Sequence, residues 1–546
     1  MYNIIRDHKV LYFVTLFLII LYSIVDLLKS MLISFIFDND LLNAVHTFIL
    51  VIVSFLIVFL VITTLQQYVV EVLKNKIRYK LNQNLYKSYL SKSIELFKEK
   101  DSSEILNEFN NKVNIVVENY VSAKLNIFAL TVSLILGSIY IANLSLEILI
   151  FLLLCAFITI FINDIFKKKL ENNQNRYLNS MQKWLFTIKN FCRSFRDIKI
   201  LNLENTFCDE LNNKNKDLED RTLQNNGFIK ILSSLNSFVS QTMFFITLLF
   251  GILLIKYNRL SIGELLGISQ ASNMVIMPII SYANLRNMII SSKPVLQELE
   301  KNSMIRENDG NIYFNEEINK IELRNLSFDY GKRKILDSNF LDINQGKKYL
   351  IIGKSGDGKS TFLDILTKQK SVNGVYVNGK NLSEIIFHTY VDKFSYVNQS
   401  NDLLPFSFEK NITLGKGATK YSLKELITKF HLESIFDKNR ESLDIEHLNL
   451  SGGEKQRICL ARALYRNKKW LFLDEAFSAI DKANSDIIHK IILSDPEVTV
   501  LSIEHKITKE TVSLYDDVLL FENKKIISMS TEEYLNSNFY KQEYVL

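Results

Sequence analysis

Cysteine is scarce in this chain of 546 residues. Cys155, Cys192, Cys208 and Cys459 form no C-x-x-C pair and no metal-ligand spacing with histidine. Neither a disulfide framework nor a zinc site is expected. Cys155 falls in an apolar run, and the other three fall in segments read below as cytosolic, where thiols stay reduced. A cleavable signal peptide is also missing. The first apolar run follows Arg6 and Lys9 without a small-residue cleavage site after it, so it should remain as a membrane span. The stretch NLSGGEKQR, Asn449 to Arg457, has no nucleophile beside a base and no metal ligands. It reads as a turn opening into a helix.

Apolar sequence is abundant and unevenly placed. Hydrophobic residues make up 48% of the chain, and long runs of Leu, Ile, Val and Phe crowd its first half. Charge and glycine motifs crowd the second. A chain of this length exceeds one ordinary core, so a membrane domain followed by a soluble domain is expected. The net charge of +6 would suit a nucleic-acid partner. Basic residues between membrane spans account for it better, and no nucleic-acid partner is expected.

A span needs about 20 mostly apolar residues. Six runs qualify: 10–35, 46–67, 122–142, 144–163, 228–256 and 261–283. The N-terminal part is thus read as an all-α polytopic membrane domain over 1–305. A linker over 306–318 and a soluble domain over 319–546 follow. Asn143 to Ser145 and Lys256 to Arg259 make tight hairpins. The connections 68–121 and 164–227 are long, rich in Lys and Asn, and helical in pattern. The first carries Lys74, Lys76, Arg78 and Lys80; the second carries Lys167, Lys168, Lys169, Arg193, Arg196 and Lys199. The loop near Phe37 to Val45 carries Asp38 and Asp40 and no Lys or Arg. Both long connections and both chain ends therefore belong in the cytosol, with Lys256 and Arg259 mildly against the rule. Such connections are too long for simple loops. Their helices should run on beyond the bilayer and turn near Ser93–Asp101 and near Ile188–Lys199. There Phe97, Phe191 and Phe195 mix with charges as in a docking surface.

Charged groups inside a span usually face a cavity or a partner. Asp26 and Lys29, spaced i, i+3, can pair on one helix face. They either line a substrate path or sit in water at the outer end of the first span. Asn236, Gln241, Asn273 and Asn284 are further path candidates, and Pro278 should kink the sixth span.

From about Asn319 the pattern changes to short β-type runs between turns. Lys347 to Leu366 reads as strand, glycine-rich turn and helix, and Gly353 to Ser360 fits the phosphate-binding pattern GxxxxGK[ST]. Its backbone N–H groups and the helix N-terminus suit phosphate. Lys359 would reach the β- and γ-phosphates and Ser360 would hold Mg²⁺. A second apolar strand ends in Asp474 and Glu475. Asp474 suits Mg²⁺ and Glu475 suits polarising a water.

With these residues in place, the chain resembles an ABC transporter of the exporter type. The resemblance implies a type IV exporter-like membrane domain of six transmembrane helices fused to an α/β P-loop NTPase domain of ABC type. It assigns Tyr330 to stacking on adenine. Gly353, Lys354, Ser355, Gly356, Asp357, Gly358, Lys359, Ser360 and Thr361 become the phosphate loop. Gln399 becomes the glutamine that contacts Mg²⁺ and the attacking water. Ser451, Gly452, Gly453 and Glu454 become the signature that meets a partner's ATP. Asp474 becomes the Mg²⁺ carboxylate, Glu475 the catalytic base, Ser478 to Asp481 the D-loop, and His505 the γ-phosphate switch. The two cytosolic turns become coupling helices.

The implied function is ATP- and Mg²⁺-dependent export of an amphiphilic substrate by alternating access. A small peptide, a drug and a lipid all remain open as substrates. The implied partner is a second copy of the chain, with a heterodimer in reserve, in the lipid of a plasma (inner) membrane and with the ATPase domain cytoplasmic. An ATP-gated channel or a regulatory membrane ATPase is the alternative, and the intact Glu475 and His505 speak against it. Three departures stand out. Glu454 replaces a more usual glutamine. The stretch Asn439 to Asn449 lacks the usual segment that touches coupling helices. No protease domain precedes the first span, so processing of a leader peptide is not expected.

Overall fold

The computed structural model describes residues 7–38, 45–98, 100, 102–304, 310–330, 333–400, 402–417, 420–438, 450–505 and 508–537. Its contacts divide the chain into two units. One comprises Met1–Leu90 and Asp101–Ile305; the other comprises Ser91–Lys100 and Arg306–Leu546.

The first unit is helical. Its long helices are Lys9–Asp38, Val45–Leu90, Ser122–Leu144, Leu146–Ile200, Glu204–Lys256 and Ile262–Met304. Among the described residues, five stretches are long and apolar enough to cross a membrane: Lys9–Asp38, His46–Leu90, Glu104–Leu144, Glu204–Lys256 and Ile262–Asn302. The run expected at 144–163 opens the helix Leu146–Ile200, and several of its side chains lie outside the described residues. Ser145 breaks the third and fourth runs apart. Its extended backbone starts the next helix, and its hydroxyl accepts from the Ile148 amide at 3.3 Å.

Before Ser122 the chain passes through two π-helical turns, Glu108–Lys112 and Val116–Val121. They carry a fully buried carboxylate, Glu108. A buried charge is costly unless it is paired. Glu108 accepts from the Tyr89 hydroxyl at 2.5 Å and from the Asn302 amide at 3.0 Å, and Lys112 lies 3.5 Å away. The pairing ties three helices of this unit together.

The turn expected at Ile188–Lys199 is displaced. Those residues continue the helix to Ile200, and the chain reverses over Leu201–Leu203. Asn202 adopts φ 54° there, a left-handed conformation that asparagine tolerates. The amides of Leu201 and Leu203 then reach Asp197 and Ile198 carbonyls at 2.8 and 3.0 Å. Phe191 and Phe195 pack edge-on at 5.8 Å on the last turns of the helix. The other turn, expected near Ser93–Asp101, holds a short helix, Ile94–Lys98, and it groups with the second unit.

The second unit is α/β. A four-stranded antiparallel sheet has the order β2-β1-β4-β5, with β1 Lys320–Tyr330, β2 Arg333–Asn344, β4 Val375–Val377 and β5 Lys380–Asn381. A six-stranded sheet has the order β10-β9-β3-β8-β7-β6. Here β3 is Lys348–Gly353, β6 Phe394–Val397, β7 Trp470–Asp474, β8 Thr499–Ile503, β9 Asp517–Glu522 and β10 Lys525–Ser530. All neighbours from β9 to β6 are parallel. Strands buried on both faces read as continuous apolar runs. Their alternation is still visible in the packing. Leu350, Ile352, Leu471 and Leu473 enter one core, and Tyr349, Ile351, Trp470 and Phe472 enter the other. Each such side chain contributes about 1.5–3 kcal/mol on burial.

The second core extends into the segment read as a linker. Phe314 and Ile318 are buried in it, and the Trp470 indole donates to the Ile318 carbonyl at 2.7 Å. The stretch Asn439 to Asn449 lies outside the described residues.

Candidate functional site

Parallel strands aim their C-terminal ends in one direction, where ligands of open α/β sheets bind. The order β3-β8-β7-β6 therefore lines up four loops along one edge. Gly353 ends β3, Glu504 and His505 follow β8, Asp474 ends β7 with Glu475 just after it, and Gln399 follows β6. The register is close: Ile351 pairs with Ile503, Ile503 with Asp474, and Leu473 with Val397.

The loop after β3 wraps around the ammonium of Lys359. This side chain is buried and donates to the carbonyls of Gly353 and Lys354 at 2.6 and 3.0 Å. Lys354, Ser355 and Gly356 form the exposed crest of the loop. Asp357 braces it by accepting from the Lys354 amide at 3.0 Å. Gly358 caps the helix Lys359–Leu366 with φ 94°, and a Cβ there would lie 2.8 Å from Ile335 Cγ2. Only glycine fits that conformation without strain. Thr361 sits on the same helix, half-buried.

Ser360 and Asp474 bring together oxygen donors of the kind Mg²⁺ prefers. The Ser360 hydroxyl donates to Asp474 Oδ1 at 3.1 Å. Burial pushes the Asp474 carboxyl up to about 6, against the opposing pull of the Ser360 hydrogen bond. A divalent cation would reverse that effect by favouring the carboxylate. The donor set thus fits the metal. Gln399, also expected to hold metal, contacts the neighbouring carboxylate.

That neighbour is Glu475. Its backbone is left-handed at φ 52°, uncommon for a non-glycine residue and frequent at functional sites. Both oxygens of its carboxylate are held. Gln399 Nε2 donates to Oε2 at 2.9 Å, and His505 Nε2 lies 2.8 Å from Oε1. The strand order explains the grip: β7 runs between β6, which delivers Gln399, and β8, which delivers His505. A cavity of about 600 Å³ opens beside Glu475 and His505. Tyr330 closes β1, and its side chain lies outside the described residues.

The signature stretch starts the helix Gly452–Tyr465 with Ser451 as N-cap. Ser451 and Glu454 make a capping box. The Ser451 hydroxyl accepts from the Glu454 amide at 3.3 Å and donates to Glu454 Oε2 at 2.8 Å, and the Ser451 amide donates to the same oxygen at 2.7 Å. The helix packs on the D-loop. Asp481 caps the following helix, Lys482–Leu493, and hydrogen bonds from Asn484 lower its carboxyl below the usual range.

One residue of this region escapes sequence reading. Gln456 is buried; its amide donates to Ser478 Oγ at 3.0 Å and to the Glu475 carbonyl at 3.3 Å, and its oxygen accepts from Ala479 at 2.8 Å. It links the signature helix to the backbone of Glu475. Its place one turn beyond Gly452 and Gly453, on the same helix, was the available signal. Gly453 has a second reason to be glycine. A Cβ there would lie 2.7 Å from the Ala479 carbonyl oxygen, closer than packed atoms tolerate.

The path candidates divide between two cavities of the helical unit. Asp26, Lys29 and Asn273 line one of about 340 Å³. Asn236, Gln241 and Asn284 line another of about 610 Å³, and Met277 borders both. Asp26 and Lys29, spaced so that they can pair, form no ion pair among the described residues. Spacing of i, i+3 puts two side chains on one face but does not fix their rotamers.

Comparison with known proteins agrees with this architecture. A family model described as the ABC transporter transmembrane region matches residues 10–279, and one described as ABC transporter matches residues 336–478. A putative export ATP-binding/permease protein of Rickettsia typhi is 32% identical over 233 residues, 40% of this chain and 39% of that protein. The matched stretch thus spans well under half the length of that relative. An ATP-dependent lipid A-core flippase of Francisella novicida is 24% identical over 501 residues, covering 86% of this chain and 82% of the flippase. A solved structure of a bacterial Atm1-family ABC exporter with ATP bound shares the fold. Its TM-score is 0.79 at 16% identity, over 100% of this chain and 98% of that one.

Proposed function

Because this chain belongs to the ABC transporter family, with the family's membrane and ATP-binding regions in one polypeptide, we propose that it is an ATP-hydrolysing exporter of an amphiphilic substrate. The observation that carries the reading is the carboxylate of Glu475, oriented at both oxygens by Gln399 and His505.

In this mechanism Lys359 and the loop amides hold the triphosphate. Ser360 and Asp474 would hold Mg²⁺, which neutralises phosphate charge when bound. Glu475 accepts a proton from water as the water oxygen attacks the γ-phosphorus and the β–γ bridging bond breaks. Gln399 and His505 keep the carboxylate aimed, which lowers the entropy lost in reaching the reactive geometry. Ser451 and its neighbours at a helix start suit an anion. Their use requires the ATP of a second chain, so the working unit is proposed as a homodimer. ATP must favour the closed dimer over the open one for the membrane halves to switch. The proposed location is the plasma (inner) membrane, with the ATPase domain cytoplasmic. The basic residues of the long helical connections support that orientation.

The test is reconstitution of the full chain in vesicles. ATP-dependent accumulation of an amphiphile, abolished in Glu475→Gln, is the expected result. A steady ionic current under non-hydrolysable ATP, without accumulation, would overturn it in favour of a channel.

A further inference from the structure

The helical unit encloses two opposite charges that do not meet. Asp26 and Lys29 lie on the helix Lys9–Asp38, are half-buried, and border the same cavity of about 340 Å³. Among the described residues, neither has an ion-pair or hydrogen-bond partner.

Their depth follows from the helix ends. The Gly263 amide donates to Asp38 Oδ1 at 2.9 Å, so the end of Lys9–Asp38 is level with the start of Ile262–Met304. At about 1.5 Å per residue, Asp26 lies about 18 Å along the helix from that level, and Lys29 about 13 Å. The hydrocarbon core is about 30 Å thick. With the membrane face set at that level, both charges fall well inside the hydrocarbon core and not in water at its outer face. Unpaired charges at that depth are costly and mark functional sites.

The occupant's chemistry follows from leaving neither charge alone. A cation satisfies Asp26 and strands Lys29; an anion does the reverse. Buried, stranded charges are strongly unfavourable. Side chains at i, i+3 start about 5–6 Å apart, so the two countercharges must be close together. Gln270 and Asn273, also i, i+3, add amide donors and acceptors to the same cavity, and Met274 and Met277 add apolar wall. Met277 also borders the larger second cavity, where Leu170, Ile229, Leu232 and Ile280 offer apolar wall among polar side chains.

We propose that this cavity binds an amphiphile with a compact zwitterionic head, its ammonium against Asp26 and its anionic group against Lys29. The inference rests on the export reading above for the identity of the occupant as cargo. A phosphoethanolamine head and an α-amino-acid head share the required chemistry.

The test is equilibrium binding to the nucleotide-free full chain in phosphatidylglycerol nanodiscs. The probes are lysophosphatidylethanolamine, S-dodecylcysteine, dodecylamine, dodecyl phosphate and monolauroylglycerol. At least one zwitterion should bind about tenfold tighter than the other three classes, which corresponds to one charge-assisted contact. The ranking of the two zwitterions distinguishes the phospholipid head from the amino-acid head. Asp26→Asn should shift the preference to dodecyl phosphate, and Lys29→Gln to dodecylamine; a misfolded protein gains neither. Equal binding of all heads to the native chain would overturn the proposal. So would variants that lose every probe alike, or that alter dimerisation without altering the ranking. Zwitterion binding without ATP-driven movement would overturn the export reading and leave the site standing.

Discussion

The Glu454 carboxylate holds the Ser451 hydroxyl at 2.8 Å. The group assigned to a partner's ATP is thus already engaged, and by a negative charge. Glu454→Gln keeps an acceptor for the capping box and removes the charge. The variant should lower KM for ATP several-fold with a smaller change in kcat. An unchanged KM would sink the idea that Glu454 competes with phosphate. Glu454→Ala should instead lose the cap and destabilise the helix by about 1 kcal/mol.

Glu475→Gln removes the proton acceptor while leaving room for the nucleotide. Steady-state ATPase activity should fall by roughly 10²–10⁴, with ATP retained on the protein. Full activity in this variant would remove Glu475 from the role. Gln399→Ala and His505→Ala each free one carboxylate oxygen and should lower kcat more than they raise KM.

Much of this site was legible because its parts are local. Gly353 to Thr361 and Asp474–Glu475 are contiguous runs whose strand and helix contexts can be read along the chain. The grip on Glu475 was not legible, because it depends on strand order. Gln399 and His505 become its neighbours only when β7 lies between β6 and β8. Gln456 was missed for a similar reason, since a glutamine beyond a signature reads as surface until its partners Ser478 and Ala479 fold against it. Five of the six apolar runs fall in helices long and apolar enough to cross a membrane among the described residues, and the run at 144–163 opens the helix Leu146–Ile200. The second long turn lies beyond Ile188–Lys199, because aromatic residues among charges do not mark a reversal, whereas Asn202 taking a left-handed backbone does.

The two signature glycines should answer differently to alanine. At Gly453 a Cβ would press the Ala479 carbonyl at 2.7 Å, whereas at Gly452 the nearest atom is Ala479 Cβ at 3.4 Å. Gly453→Ala should destabilise the nucleotide-free protein by about 1–3 kcal/mol. Gly452→Ala should be neutral or gain from helix propensity. Thermal unfolding of both decides the matter, and equal melting temperatures would count against a tight D-loop contact.

Asp474 carries a pH signature. Its carboxyl is raised to about 6 in the folded chain, against about 3.9 when unperturbed. The folded state therefore keeps a proton that the unfolded state has released. That stabilisation is complete below the lower value and is lost as pH rises through the upper one. After discounting for partial exposure, the effect is on the order of 1–2 kcal/mol. In metal-free buffer, Asp474→Asn should melt above the native protein at pH 8. The difference should narrow as pH falls through 6. A gap independent of pH would contradict the burial argument.

Strand β8 lies between the strand that ends in the phosphate loop and the strand that ends in Asp474. It pairs with β3 on one side and β7 on the other, and the residues just past its end include His505. A lesion that lets this strand slip would pull the imidazole from Glu475 while the phosphate loop stayed formed. Selection for chains that bind ATP but cannot turn it over should therefore return substitutions along Thr499–Ile503, in a strand hidden from both nucleotide and solvent.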